Sequence, residues 1–461
     1  MTFNKSRLQR FRSFFSAKPG KLSGFFTTNK PPFHKTRNER VKSGTALALI
    51  AALSLAAATL ISACSQFTQT LTVDFVYVAS SAAAGPDQYG QIDVFEINSE
   101  SGRMRQIPSS PFPSGGRDPV AEAVSADYGS LFVSNQDDNS IAQFVIGTDG
   151  KLYPFATVNT PGVYPVSLAV NKSNMFSVAL YEPLPSCSTA DPCSGALSVF
   201  PLTAGTTAKP VTIGSPAANA AINANYWPLT LTGSSDIVVP TAVNVLDSGA
   251  YVYVSAYDSS VTPNVGYLFG FAVGSGGVLT PLPGSPYAAG VQPSAVASDP
   301  SSSFVFATDY QKASVLGYAV AANGSLTAMT SGTGGGNAFP AGNGPSAIVI
   351  DPSFHYAYVT NAVDSTITAY SIGNGVLTRL GSSSSGGTYA TGAQPVAIGI
   401  DPSTNRFLFT ANFLDSNVSG FQLSTTDGSL LVSQFSPFGA NAHPTAVAAI
   451  PHNGTGGGVQ K

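Results

Sequence analysis

Charge, histidine, cysteine and tryptophan are all scarce in this chain of 461 residues. Charged residues make up 10% of it, with four histidines, three cysteines and one tryptophan. So little charge beside 43% hydrophobic residues excludes ordinary disorder. No long amphipathic helical pattern follows residue 70, which excludes a helical solenoid. Also absent are a Gly-x-Ser-x-Gly nucleophile elbow, a phosphate loop and a His-Glu-x-x-His helix. Beyond Cys64 the histidines are His355, His443 and His452, and the arginines are Arg103, Arg105, Arg117, Arg379 and Arg406. They form no cluster of the kind that a phosphorylated sugar would require.

What the chain has in quantity is glycine, 46 residues, and proline, 33, the residues of tight turns. They recur in order. A proline followed two residues later by a small residue and then by an alternating apolar run occurs at Pro119, Pro165, Pro240, Pro293, Pro345, Pro395 and Pro444. The spacings are 46, 75, 53, 52, 50 and 49 residues, a period near fifty with one stretched unit. Short alternating strands at that period point to propeller blades.

The unit at Pro345 shows the plan. Its predicted strands are 346–350, 356–360, 366–372 and 376–380, separated by Asp351-Pro352, by 361–364 and by Asn374-Gly375. The seventh unit has room for one strand, 445–450, and the missing three match 73–79, 92–97 and 104–107 at the other end of the chain. The sequence therefore predicts an all-β fold, a seven-bladed β-propeller of four-stranded antiparallel blades over 71–450. The two termini share one blade, which removes the open edges.

Charge is unevenly divided. Residues 1–63 hold eleven Lys and Arg against Glu39 alone, a balance of +10, and the remaining ten basic and 23 acidic residues give −13. A body this acidic is not drawn to nucleic acid or anionic lipid. The basic segment ends at Lys42 and an uncharged apolar run then reaches Ile61-Ser62-Ala63-Cys64, the pattern of an export signal. Those four residues resemble a bacterial lipobox, which implies lipidation of Cys64, a membrane attachment through that lipid, and an outer-membrane or periplasmic location. An uncleaved signal anchor is the competing reading, because the apolar run approaches spanning length. The long basic region admits translation from Val41, a hypothesis that a peptide from residues 1–40 found in cells would remove. Residues 64–70 would form a tether of ~20 Å when extended, and 451–461 a glycine-rich tail.

Cys187 and Cys193 read as a local disulfide in an exported protein, with metal ligation the alternative. They lie in the first of two insertions, 181–194 and 214–236, that stretch the unit at Pro165. Antiparallel strands put both insertions, and the longer links elsewhere, on one face of the ring. Binding usually resides in such loops. Trp227 with Tyr226, Asn225 and Asn223, joined by Tyr181 and Tyr257, is therefore a candidate ligand-binding surface. Trp227 stapling its own loop to the rim is the alternative. Asp137-Asp138-Asn139, Asn361 with Asp364, and Asn412 with Asp415 and Asn417 recur in one loop, where their side chains suit turn geometry. Calcium at 137–139 is the other reading, but a twelve-residue ligand pattern is missing. Neither a metal nor a cofactor is expected.

Val278-Leu-Thr280-Pro-Leu-Pro-Gly284-Ser-Pro286-Tyr with Gly290-Val-Gln-Pro293, and the second strands Tyr358-Val-Thr-Asn361 and Tyr251-Val-Tyr-Val-Ser255, carry a resemblance. They are similar to the bacterial lactonase family of seven-bladed propellers, 6-phosphogluconolactonase-like members included, and to its YVTN-repeat relatives. The resemblance spans 71–450 and implies the propeller fold. In the enzymatic branch one blade reads Gly-Pro-Arg-His and later Asn-Glu. Here the nearest unit reads Gly344-Pro345-Ser346-Ala347 and Asn361-Ala362, so those catalytic groups do not carry over. Lactone chemistry needs a proton-transfer group and a holder for developing negative charge. His443, immediately before Pro444, and Arg117, near Pro119, are the remaining catalytic candidates, and a rim histidine with a solvated arginine is the alternative. The expectation is an exported binding module for an envelope protein or saccharide. The alternatives are a lactone hydrolase or isomerase and a structural envelope protein.

Overall fold

A computed structural model describes residues 72–188, 190–206, 209–231, 236–330, 336–381 and 386–452. The expected leader, Cys64 and the tether lie outside the described residues, as does the tail beyond 452. Seven antiparallel sheets account for nearly all of the described chain, with one 3-10 turn at Ser275–Gly277. Among the described residues no helix is long and apolar enough to cross a membrane.

Blade 1 joins the two ends of the chain. Its inner strand is Pro444–Pro451, followed outward by Thr72–Ala84, Tyr89–Asn98 and Met104–Gln106. Phe75 stands opposite Ile450 and Tyr77 opposite Ala448, so the closure predicted from the truncated seventh unit is present in register. Blades 2 to 7 begin at the inner strands Pro119–Val124, Val163–Val170, Val238–Val245, Pro293–Ser298, Pro345–Ile350 and Pro395–Ile400. Each inner strand packs against those of its two neighbours, which closes a ring around a central channel. Every anchor proline therefore lies at the start of an inner strand, first in five blades and third in blades 3 and 4, at the same mouth of that channel.

Proline suits this place because it has no N–H to give to a ladder. A register break follows it, as between Pro345 and Ala347 or Pro395 and Ala397. On the opposite face the Asp-Pro turns are held by their own carboxylates. Asp351 accepts the backbone N–H of His355 at 2.8 Å and of Tyr356 at 2.5 Å. Middle strands are buried on both sides, since each sheet is sandwiched between two others. Phe407–Asn412 is buried along its whole length, with Phe407 and Phe409 packed on Val76, Val78 and Phe95 of blade 1.

The structure adds an element to the four-stranded plan. In six blades a segment of two or three residues pairs with the mouth-side half of the third strand, for example Trp227–Pro228, Ala338–Pro340 and Phe438–Gly439. The fourth strand covers the other half, so the link to the next blade runs back along the third strand and satisfies its remaining polar backbone. Blade 2 manages this with one continuous fourth strand, Leu152–Asn159.

Candidate functional site

The channel mouth is lined by the residues that precede each anchor proline and by those that follow each second strand. Asp118, Tyr164, Gln394 and His443 precede prolines with positive φ of 52°, 59°, 57° and 60°, and Gly344 does so at 64°. Glycine occupies that conformation without strain, whereas a side chain there costs about 1–3 kcal/mol. Four side chains are thus held at the mouth at some cost in stability, three of them partly exposed and Gln394 buried. His443 stacks on Phe413 of blade 7, with ring centroids 4.7 Å apart and planes 18° apart. Tyr164 meets Tyr181 edge-on at 5.9 Å. A Cβ on Gly344 would sit 2.6 Å from Val363 Cγ2 and 3.0 Å from the Tyr310 ring, so those two side chains fill the space that Gly344 leaves. Gln292 accepts a hydrogen bond from Gln311 Nε2 at 2.8 Å. Gln394 is 4% exposed and its side-chain nitrogen finds no acceptor.

Arg117 is committed locally. Its Nε donates to Asp138 Oδ1 at 2.6 Å, its Nη2 lies 2.5 Å from the same oxygen, and its backbone N–H reaches Asp138 Oδ2 at 2.8 Å. The Asp138 carboxylate holds the guanidinium pKa above its ordinary value. Asp364 and Asp415 occupy the same turn in blades 6 and 7 and accept the backbone N–H of Asn343 and Ala393, each at 2.7 Å. The recurring acids therefore cap the chain just before an anchor proline. Among the described residues no group of three His, Cys, Asp or Glu side chains is placed to hold a metal ion.

The residues that stand where the enzymatic branch carries its reactive groups are structural here. Ser346 Oγ donates to Pro395 O of the next blade at 2.6 Å and shares a 2.9 Å hydrogen bond with Thr360 Oγ1. Ala347 gives its N–H to Thr360 Oγ1 at 3.0 Å, and Ala362 is buried. Ser294 to Pro345 O, at 2.6 Å, and Thr445 to Pro119 O, at 2.8 Å, repeat the stitch between blades. Ser346→Ala should therefore lower stability by about 1 kcal/mol, the worth of one such bond. An unchanged urea midpoint would remove this role.

The expected aromatic patch is largely inside the protein. Trp227 is 5% exposed, pairs through its backbone with Leu197, and donates its indole N–H to Leu279 O of blade 4 at 3.1 Å. It is the staple of its loop. Tyr226, Tyr181 and Tyr257 are buried too, and Asn225 stays exposed. Tyr226 hydrogen bonds the half-buried Glu182, and burial raises the pKa of both groups. Cys187 and Cys193 form the disulfide. His355 shares a hydrogen bond with Ser353 on the opposite face, and His452 lies beside Phe75. A groove of about 250 Å³ lined by Phe144, Pro154 and Phe155 runs along the outer strands of blade 2.

Two mouth-side residues escaped the sequence reading. One is Gln394. The other is Glu122, the carboxylate in an inner strand otherwise built of Pro, Val and Ala, whose two oxygens are shut off from solvent. Burial pushes its pKa well up, which favours the protonated carboxyl. That lone acid in an apolar run was the available signal.

These features define a seven-bladed propeller whose mouth carries aromatic rings, amides and the Asp118 carboxyl group. Solved structures share its fold, that of 6-phosphogluconolactonase-like propellers. The periplasmic gluconolactonase of Pseudomonas aeruginosa matches with a TM-score of 0.61 at 15% identity, over 82% of this chain and 99% of that one. A Bacteroides fragilis protein provisionally named 6-phosphogluconolactonase matches at 0.60 and 16%, over 83% and 99%. A Bacteroides uniformis protein named in the same way matches at 0.59 and 17%, over 82% and 100%. Likeness at these identities is likeness of fold. No family model and no curated protein matches the chain.

Proposed function

We propose that this protein is an exported, lipid-anchored binding module that holds an uncharged, hydroxyl-rich ligand such as a saccharide at its channel mouth. One observation carries the reading: beside the half-buried Asp118 the mouth presents aromatic rings and amides, and the Gln394 N–H just beneath them lacks an acceptor and reaches a ligand by rotating outward. Aromatic faces pack against the apolar faces of a sugar, and amides hydrogen bond its hydroxyls. The arginine beside the mouth is neutralised by Asp138, which disfavours a phosphorylated ligand. An envelope protein reaching the same loops is a second class of partner.

Lactone chemistry is the second reading, supported by the fold shared with the gluconolactonase. It would use His443 as the proton-transfer group and Arg117 to hold the developing charge. Purified protein should bind neutral oligosaccharides in calorimetry, and Gln394→Leu should weaken that binding about tenfold, the worth of one buried hydrogen bond to a ligand. Turnover of a gluconolactone should be no higher than that of His443→Ala. Turnover lost in His443→Ala, without saccharide binding, would replace the first reading by the second.

A further inference from the structure

Blade 1 is the only place where the ring is closed by noncovalent contact between the two ends of the described chain, and it holds an unusual pair of acids. Asp74 opens the strand that pairs with the C-terminal strand, standing opposite Pro451. It is 0% exposed, and neither carboxyl oxygen has a well-formed hydrogen bond, the Ser403 hydroxyl being the donor beside it. Its carboxyl lies against that of Asp401, also 0% exposed, in the Asp-Pro turn of blade 7. Asp401 is well supplied with donors. It takes the backbone N–H of Thr404 at 2.6 Å, Arg406 at 2.7 Å and Phe407 at 2.8 Å, with hydroxyl donors from Ser403 and Thr404.

Two carboxylates cannot hydrogen bond without a proton between them. Asp401 is built to stay ionised, so the proton must reside on Asp74, which then donates to Asp401. Among the described residues no cation is a leading influence on either acid: Arg406 gives the pair a backbone N–H, while its guanidinium lies over the Phe407 ring at 5.7 Å. Ser403 is the remaining polar neighbour, and His452, just past the adjoining strand Pro444–Pro451, lies beside Phe75 with ring centroids 5.1 Å apart.

We propose that the propeller ring is latched by a proton shared between Asp74 of blade 1 and Asp401 of blade 7, and that the seam between the chain ends loosens when this proton is lost. The inference stands apart from the binding reading. Burial first, and then the charge of Asp401, push the Asp74 pKa from an ordinary 3.8 up to about 8. The folded chain therefore holds a proton that the unfolded chain releases near 3.8. The latch contributes fully below that pH and loses its contribution progressively as pH rises to about 8, after which the curve is flat. Asp401 shifts the other way, held below its ordinary value by the donors around it, so its contribution is lost only as pH falls below the carboxylate range. A protein outside the cytoplasm meets the pH of its surroundings, and this seam would respond to it.

The test compares the full chain with Asp74→Asn, whose amide donates to Asp401 at every pH. Glu122 and Asp93 are also buried acids with raised pKa values, so the difference between the two proteins is what isolates the latch. From pH about 4 to about 8 the unfolding constant of the parent should rise relative to that of the variant by up to tenfold per pH unit. Parallel curves would overturn the proposal. Should Asp74→Asn fail to fold, amide exchange in the parent decides. On raising the pH, exchange in 75–79 should accelerate beyond its chemical rate more than in the inner strand 345–350. Equal acceleration in both strands overturns the latch.

Discussion

Trp227→Ala should be among the most damaging single substitutions in this protein, lowering stability by about 3–5 kcal/mol. The indole lies among Val178, Leu197, Leu229 and Phe269, where the third and fourth blades meet. Truncation opens a cavity there that rigid sheets on both sides cannot collapse to fill. It also removes the donor to Leu279 O, a bond that spans 52 residues of sequence and ties the longest insertion to the next blade. Trp227→Phe separates the two contributions. It keeps most of the ring and loses the N–H, so it should cost about 1–2 kcal/mol. Denaturant unfolding followed by circular dichroism, rather than by the tryptophan itself, measures both variants. A loss below 1 kcal/mol in Trp227→Ala would mean that the loop is carried by its backbone pairing instead.

That residue also marks where sequence reasoning reached its limit. The repeat of prolines, the alternating runs and the truncated seventh unit were enough for the number of blades and for the closure of Thr72–Ala84 on Pro444–Pro451. These features are written as periodicity, and periodicity survives without any knowledge of contacts. Trp227-Pro228 is a strand of two residues, too short to show a period, so it read as loop. An aromatic in a long polar insertion has the same appearance whether it faces a ligand or a core. Ser346 had no signature either, because its hydroxyl acts across a blade boundary 49 residues away. The departure from the family's basic residue was legible, while the stitch that took its place was not. Asp74 read as an ordinary residue at a strand start, since its partner is brought to it only by closure of the ring.

Gly266→Ala should rival the tryptophan substitution in its effect and act by the opposite means, through crowding. A Cβ at Gly266 would sit 2.2 Å from Ala289 O and 2.5 Å from Pro293 Cδ. Gly90 stands in the same relation to Pro119, at 2.2 Å, and Gly195 to Pro240, at 2.4 Å. In three blades, then, the glycine at the mouth end of the third strand is pressed against the anchor proline that opens the following blade. Neither a backbone oxygen nor a proline ring can swing aside as a flexible side chain would. Relief requires moving the start of the next inner strand, and with it the mouth. The cost should lie at or above the upper end of about 1–3 kcal/mol for overpacking. Gly439→Ala, where nothing lies within 4 Å of the added carbon, is the matched control and should be close to neutral. Because Gly266 precedes the anchor of blade 5, its substitution should also displace Gln292 and weaken any ligand held at the mouth, an effect that Trp227→Ala should not share. Equal stability of the Gly266 and Gly439 variants would show that the mouth yields more readily than a ring of packed prolines allows.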